Sequence, residues 1–334
     1  MLQLSNDTGL EGLLFVAPDP DGVESVYAII KGSFRLARSL ELLEEQVPIR
    51  TEDEWTGEPG QSGIALPADV GLPKPGADLL VVGNAWPERG RARYVDVQLA
   101  AGTVQKAVRA WGNRVWRSDG QPTEPDPFEF MPLVWERAFG GVDDTGSAVD
   151  AELRNPVGIG VRARDSARPL DGYPLPNLEN PSAPLLSWQD RPPPAGVGAV
   201  APSWEPRRSW AGTYDERWQA ERAPYLPLDF DPRFLHQASP DQILATHVGP
   251  GEWVDLIGAS RRGRDTFQIP TWELSVTFRA AGGDEEKPAR LDTVLIEPEE
   301  ERVCLVWRAG LATDKDTLRL KEVVVERVGA GGES

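Results

Sequence analysis

The sequence predicts a mainly β protein: two β-rich, sandwich-like lobes joined by a proline-rich ordered segment with short helices. Both the first 120 residues and the last third contain short runs of β-branched and aromatic residues, several of which alternate with polar ones. Glycine-containing turns separate neighbouring runs. Between the two strand-rich parts, residues 165–232 contain 13 prolines, which excludes sheet pairing or a long helix there.

The N-terminal part is predicted to end in a three-stranded meander. In RYVDVQLA (93–100), Tyr94 and Asp96 lie on one face of a strand, and Val95, Val97 and Leu99 lie on the other. Glycine-containing turns follow this strand and the next one. The predicted strands are VYAIIKGSFRLA (26–37), ADLLVVGNAW (77–86), RYVDVQLA (93–100), TVQKAVRAW (103–111), RVWR (114–117) and the start of FEFMPLVWERAFGG (128–141). Residues 58–76 are predicted to form a long ordered loop without regular structure, because prolines and glycines recur through them.

The proline-rich middle is predicted to be ordered rather than a free linker, because disordered linkers are depleted in aromatic residues. We expect an extended chain that wraps a folded surface and buries its rings. The aromatic residues in question are Tyr173, Trp188, Trp204, Trp210, Tyr214, Trp218 and Tyr225.

The last third returns to strands, and the tail GAGGES is expected to fray. The predicted strands are EWVDLIGA (252–259), WELSVTFRA (272–280), TVLIEP (293–298), RVCLVWRA (302–309) and LRLKEVVVERV (318–328). A charged hairpin tip, EPEEER, joins the third and fourth of these. The predicted division is an N-terminal lobe at 1–140, a wrapping segment at 141–250 and a C-terminal lobe at 251–330.

Charge and composition narrow the classes of function. Lys and Arg number 35 and Asp and Glu number 53, a net charge of −18, which opposes binding to nucleic acid or anionic membranes and favours a basic partner. The single cysteine, Cys304, is predicted to be a buried strand residue. We see no signal peptide and no apolar run long enough to span a bilayer, so we expect a cytoplasmic protein.

The densest cluster of polar and aromatic residues is RSWAGTYDERW (208–218). Thr213 and Glu216 have the spacing of a capping box, which predicts a helix beginning at this threonine. Tyr214 and Trp218 are four residues apart and are expected to share one face. The helix must stop before Pro224. The alternative is a binding surface that uses the edge formed by Arg207, Arg208 and Trp210.

No catalytic or metal-binding motif is evident, so we expect no cofactor, no metal and no enzyme activity. His236 and His247 are eleven residues apart, which is not the spacing of a helical zinc pair. Asp229 and Asp231 lack the further oxygen ligands of a calcium loop, and Asp231 before Pro232 is better suited to cap a short helix. The 12 tryptophans and many carboxylates leave a carbohydrate-active enzyme or lectin as an alternative.

Seven blocks follow one another in order along the chain: 58–83, 102–117, 128–143, NPVGIG (155–160), LPNLENP (175–181), WEPRRSWAGTYDERW (204–218) and RAPYLPLDFDPRFLHQASPDQ (222–242). This ordered series, over about residues 5–280, resembles a bacterial family of type VI secretion effector adaptors. The stretch 196–206 has valine and alanine where the family usually has an aromatic residue and a proline, and the last 50 residues carry no family signature.

The resemblance implies a cytoplasmic adaptor or chaperone. Such a protein binds a cognate toxic effector and helps to mount it on a VgrG-type spike, with or without its PAAR tip. A structural component of the secretion apparatus is a further alternative. The residues that we expect to contact the partner are Trp204, Arg207, Arg208, Trp210, Tyr214 and Trp218.

Overall fold

The computed structural model describes residues 2–314 and 317–329 and confirms the mainly β fold. The predicted fraying of the tail falls on residues outside this range, apart from Gly329. In chain order the strands are β1 (Gln3–Asn6), β2 (Glu11–Pro18), β3 (Glu24–Arg35), β4 (Glu41–Leu42), β5 (Glu54–Trp55), β6 (Ile64–Leu66), β7 (Ala77–Val81), β8 (Asn84–Ala85), β9 (Tyr94–Ala101), β10 (Val104–Trp111), β11 (Met131–Pro132), β12 (Phe139–Gly140), β13 (Val142–Asp143), β14 (Asp150–Ala151), β15 (Ile159–Gly160), β16 (Leu178–Glu179), β17 (Ile243–Leu244), β18 (Trp253–Ile257), β19 (Arg264–Gln268), β20 (Glu273–Ala280), β21 (Gly283–Glu297), β22 (Arg302–Ala312) and β23 (Leu320–Val328).

Helices are short and few in the described chain. The α-helices are α1 (Arg207–Trp210) and α2 (Glu216–Glu221), both in the proline-rich middle. None of these helices has the length and apolar character needed to cross a bilayer. Turns of 3-10 helix lie at Trp135–Arg137, Pro232–Leu235, Pro240–Gln242, Pro298–Glu300 and Thr317–Arg319.

The main sheet has ten strands in the order β1-β23-β20-β21-β22-β3-β2, with β4 beside β3, β7 beside β21 and β17 beside β7. The antiparallel pair β3 and β22 forms its centre, in register from Arg35 opposite Arg302 to Ser25 opposite Ala312. The parallel strand β7 is buried at all five residues, as expected where both faces of a sheet are covered. Strands from 1–140 and from 251–330 therefore belong to one sheet. The three-part division of the chain stays a prediction.

A second sheet runs in the order β16-β10-β9-β18-β19. Its edge strand β16 lies in the proline-rich middle and pairs with β10, so the expectation of no sheet pairing in residues 165–232 is wrong at Leu178–Glu179. In β9 the side chains of Val95, Val97 and Leu99 are buried while Tyr94 is exposed, which confirms the predicted alternation. Strand β18, from the last third of the chain, pairs antiparallel with β9. The buried faces of both sheets contribute to one apolar core, so the second sheet packs with the first rather than forming a separate lobe core.

Three predictions about local structure are corrected. Residues 114–117 do not form the third strand of a meander: Val115 makes a single bridge to Pro174, and Trp116 makes one to Pro122. Each proline lacks a backbone N–H and donates no hydrogen bond at its bridge, and neither bridge continues into a ladder. Within the loop at 58–76, residues 64–66 do form a short strand, which pairs with β5. The start of 128–141 is irregular up to the two-residue strand β11.

The proline-rich segment wraps the core as predicted. Val197 accepts a backbone hydrogen bond from Val81 at 3.0 Å, which places this part of the chain along β7. The Gln242 amide donates to the carbonyls of Leu79 at 2.8 Å and Val197 at 3.0 Å, and so joins the segment to the same strand. The expectation that the segment buries its aromatic rings is confirmed only in part. Tyr173 and Trp204 are buried, Tyr214 and Tyr225 are exposed, and Trp188, Trp210 and Trp218 are half-buried.

Candidate functional site

Two of the six residues expected to contact a partner lie inside the protein. Trp204 is 1% exposed, and its ring meets that of Trp135 edge-on with the centroids 6.0 Å apart. The guanidinium of Arg207 is buried and donates to the carbonyls of Val200 at 2.5 Å and Phe234 at 3.2 Å. Burial lowers the pKa of Arg207 to about 10. Both side chains hold the wrapping segment together, and neither forms part of the accessible surface.

The helix cap lies two residues beyond the predicted position. Helix α2 begins at Glu216, and the carboxylate of Asp215 accepts from the backbone N–H of Trp218 at 2.8 Å. Thr213 instead donates its N–H and its hydroxyl to the carboxylate of Asp229, at 2.9 and 2.7 Å. The predicted capping box is therefore wrong, because Thr213 forms its hydrogen bonds with Asp229 and not with the first turn of α2.

Two other local predictions are confirmed. Helix α2 ends at Glu221, before Pro224. Asp231 caps the 3-10 turn that begins at Pro232, and its carboxylate accepts from the N–H of Arg233 at 2.9 Å.

Asp215→Ala is expected to loosen α2 by about 1 kcal/mol, roughly a fivefold faster amide exchange at Trp218, because the capping acceptor is lost. Hydrogen exchange of that amide measures the effect. The global unfolding midpoint should stay constant, since α2 buries none of its residues. If Thr213→Ala speeded exchange of the Trp218 amide by this amount and Asp215→Ala did not, Thr213 would be the helix cap.

The chain from Thr213 to Asp229, which we term the α2 loop, is closed at its neck by the hydrogen bonds between those two residues. Inside it the indole N–H of Trp218 donates to the carbonyl of Tyr225 at 2.9 Å. The rings of Tyr214 and Trp218 meet edge-to-face with centroids 4.7 Å apart, which confirms that they share a face. This ring pair is thus held in place by the loop itself while Tyr214 remains 54% exposed.

Two apolar hollows share Pro240 as a common wall, and we term them together the Pro240 surface. One has a volume of about 330 Å³. The other has a volume of about 350 Å³ and includes the half-buried ring of Trp210, with the guanidinium of Arg233 4.9 Å from the ring centroid. Arg208 is exposed and lines neither hollow. The first hollow is lined by Trp135, Arg154, Pro193, Pro194, Val200, Glu205, Pro206, Ser239, Pro240 and Asp241. The second is lined by Pro75, Gly76, Trp210, Arg233, His236, Pro240, Ile243 and Ala245.

Beneath the second hollow lies a buried group of charged side chains. Nδ1 of His236 is 2.7 Å from the Asp78 carboxylate, which also accepts from Nζ of Lys74 at 2.6 Å. The same ammonium reaches Gln237 at 3.0 Å and Thr293 at 2.7 Å. Burial alone would raise the pKa of Asp78, but the charge of Lys74 and the contact with His236 hold it well below its usual range. The aspartate is therefore an ionised group inside the core.

A second group of buried charges continues from the first. Nζ of Lys31 donates to the Asp69 carboxylate at 2.6 Å, and the N–H of Lys74 donates to Asp292 at 3.4 Å. Arg308 donates to the carboxylate of Asp292 and to the backbone carbonyl of Asp69. These contacts fasten the end of the 58–76 loop to strands β3, β7, β21 and β22. The sequence analysis did not predict these buried ion pairs. The signal that could have indicated them is a charged residue within an otherwise apolar run, such as Lys31 or Asp78.

The structure also places the candidate metal ligands and the cysteine. Nε2 of His247 is 3.0 Å from the carbonyl of Lys74. Across residues 2–314 and 317–329 no group of three or more His, Cys, Asp or Glu side chains is arranged to hold a metal ion. Cys304 is buried in β22 as predicted, and burial raises the pKa of its thiol to about 11. The cysteine is therefore a protonated core residue at neutral pH.

Fold and site define a mainly β protein in which a proline-rich segment wraps two packed sheets and presents aromatic and apolar surfaces. The chain belongs to the family described as "uncharacterized protein conserved in bacteria (DUF2169)", whose model matches residues 21–308. No curated protein and no solved structure matches it significantly.

Proposed function

We propose that this protein is a cytoplasmic adaptor that binds a cognate type VI secretion effector and helps to load it onto the VgrG-type spike with its PAAR tip. The Pro240 surface is the observation that carries the proposal. Its two adjoining hollows offer a partner chain an apolar groove whose prolines are rigid before binding. The ordered sequence blocks, which resemble those of type VI secretion effector adaptors, support the same role.

An adaptor must hold its client but need not turn it over. A stable protein complex buries roughly 1,200–2,000 Å² in total, and a few aromatic or arginine side chains carry most of its energy. Such side chains are Trp210 in the second hollow, Arg208 nearby in sequence, and Tyr214 and Trp218 on the α2 loop. These four remain our proposed contacts among the six predicted from sequence.

The net charge of −18 defines the kind of client that suits this protein. A field of that sign disfavours nucleic acid and anionic lipid and speeds the approach of a basic protein. Association with a basic effector is therefore faster at low salt. No cofactor, metal or enzymatic turnover is part of the proposal.

Ala245→Trp is expected to abolish capture of the effector encoded beside this protein. Ala245 is exposed and lines the second hollow, so a tryptophan there fills the groove without removing an internal contact. The measurement is co-purification of wild-type and variant proteins with the effector and, through it, the spike. Ala37→Trp, at another exposed alanine, is the matched control and should bind as the wild type does.

Equal capture by both variants would remove the Pro240 surface from the proposal. If the wild-type protein captures neither effector nor spike, the adaptor role fails. If it also hydrolyses or binds a glycan, the carbohydrate-active alternative takes its place.

A further inference from the structure

Aromatic side chains at the surface of this protein are paired with arginines. Eleven tryptophan and tyrosine side chains in the described chain are not buried, and eight of them have a guanidinium near the ring. The distances from guanidinium carbon to ring centroid run from 4.2 Å for Arg261 over Trp86 to 5.5 Å for Arg222 over Tyr225. The eight are Trp86, Tyr94, Trp111, Trp188, Trp210, Tyr225, Trp253 and Trp272.

Within residues 2–314 and 317–329, three non-buried tryptophan or tyrosine rings lack such an arginine. Trp55 packs against the apolar core, which accounts for its ring. The other two, Tyr214 and Trp218, lie against each other on the α2 loop. Among these non-buried rings of the described residues, the pair without an arginine is thus the pair on the exposed α2 loop.

The charges around this pair favour a cation from outside. The α2 loop has four acidic residues and two arginines, a net charge of −2. Both arginines are engaged: Arg217 pairs with Glu221 at 3.0 Å, and Arg222 donates to the carbonyls of Leu226 at 2.8 Å and Pro20 at 2.9 Å. The latter bond brings in a neighbouring turn that carries two further aspartates, at positions 19 and 21.

We propose that Tyr214 and Trp218 receive an arginine side chain from a basic segment of a partner protein. The guanidinium would lie against these rings as the chain's own arginines lie against the other eight. Glu216, exposed in α2 between Tyr214 and Trp218 in the sequence, supplies a carboxylate that has no hydrogen bond or ion pair in the described chain. Arginine fits better than lysine because its planar group stacks on an aromatic face. The inference rests on the proposed function, which supplies the partner protein. It adds that the segment of the partner that binds here contains arginine.

Fluorescence anisotropy with a labelled nine-arginine peptide tests the inference. The double variant Tyr214→Ala/Trp218→Ala removes both rings and no charge, and it is expected to bind the peptide about five- to tenfold more weakly than the wild type. Tyr94→Ala is the matched control, because that ring is 50% exposed but already holds Arg109 at 4.7 Å. The control should bind as the wild type does.

A nine-lysine peptide separates ring stacking from charge. The wild type is expected to prefer the arginine peptide, and the double variant should lose that preference while keeping weak, salt-sensitive binding to both. Should the double variant be poorly folded, Tyr214→Ala alone and Glu216→Gln provide the test, since both side chains are exposed.

Arginine-peptide affinities that are unchanged in every one of these variants overturn the inference. If the effector still co-purifies in that case, the proposed adaptor function stands and only the docking surface is wrong. If the variants lose the peptide but no effector ever co-purifies, the surface stands and the adaptor function fails.

Discussion

Asp78→Ala is expected to destabilise the protein by about 3–5 kcal/mol, as happens when one member of a buried ion pair is removed. Asp78 is 0% exposed in β7 and accepts from Lys74, from His236 and from the backbone N–H of Gln237. Its loss leaves the buried ammonium of Lys74 without its carboxylate. Chemical denaturation of both proteins measures the change in free energy of unfolding.

Two comparisons make this result specific. Glu221→Ala breaks the exposed pair with Arg217 and should cost less than about 0.5 kcal/mol. Because the folded pKa of Asp78 is depressed, its charge contributes full stability above about pH 4 and loses it as the pH falls further. The stability difference between wild type and Asp78→Asn should therefore be constant from about pH 7 to 5 and shrink at lower pH. A loss below about 1 kcal/mol in Asp78→Ala would show that Lys74 is neutral in the core.

Trp204→Ala is expected to destabilise the protein by about 3–5 kcal/mol, because it removes a fully buried indole and leaves a cavity beside Trp135. Thermal and chemical unfolding both report this loss. Trp204→Phe should recover much of it, since the phenyl ring refills most of the space.

Trp253→Ala is the control for this second result, because that ring is 43% exposed and its removal opens no internal cavity. Its stability should change by far less than that of Trp204→Ala. If Trp204→Ala kept wild-type stability yet failed to capture the effector, Trp204 would be a contact residue, as the sequence had suggested.

The strands show how far local pattern extends. Alternation in β9 and the apolar runs of β3, β7 and β22 were sufficient to predict these elements, because each buries a face or both faces whatever its neighbours are. RVWR at 114–117 has an equally strand-like composition, yet it fails to form a ladder. Its bridge partners are prolines at 122 and 174, and the second of these is remote in sequence, so its approach depends on the whole fold.

At the candidate site, too, local sequence leaves alternatives that only the tertiary structure decides. Thr213 and Asp215 both fit the pattern of a helix cap, and only the approach of Asp229 decides between them. Trp204 and Tyr214 are ten residues apart in one aromatic segment, and the fold buries the first and exposes the second. The residues that cover Trp204 and leave Tyr214 exposed are distant in sequence, so no local stretch of sequence predicts this difference.

By itself, the sequence determined the mainly β class, the ordered proline-rich wrap, the buried cysteine and the acidic surface charge, since each follows from local composition and periodicity. Tertiary structure alone decided that both ends of the chain share one sheet. It also decided that Lys74, Asp78 and His236 meet in the core and that no arginine of the described residues lies over the rings of Tyr214 and Trp218. Contacts between residues more than a hundred positions apart depend on how the sheets pack, and no local pattern specifies that packing.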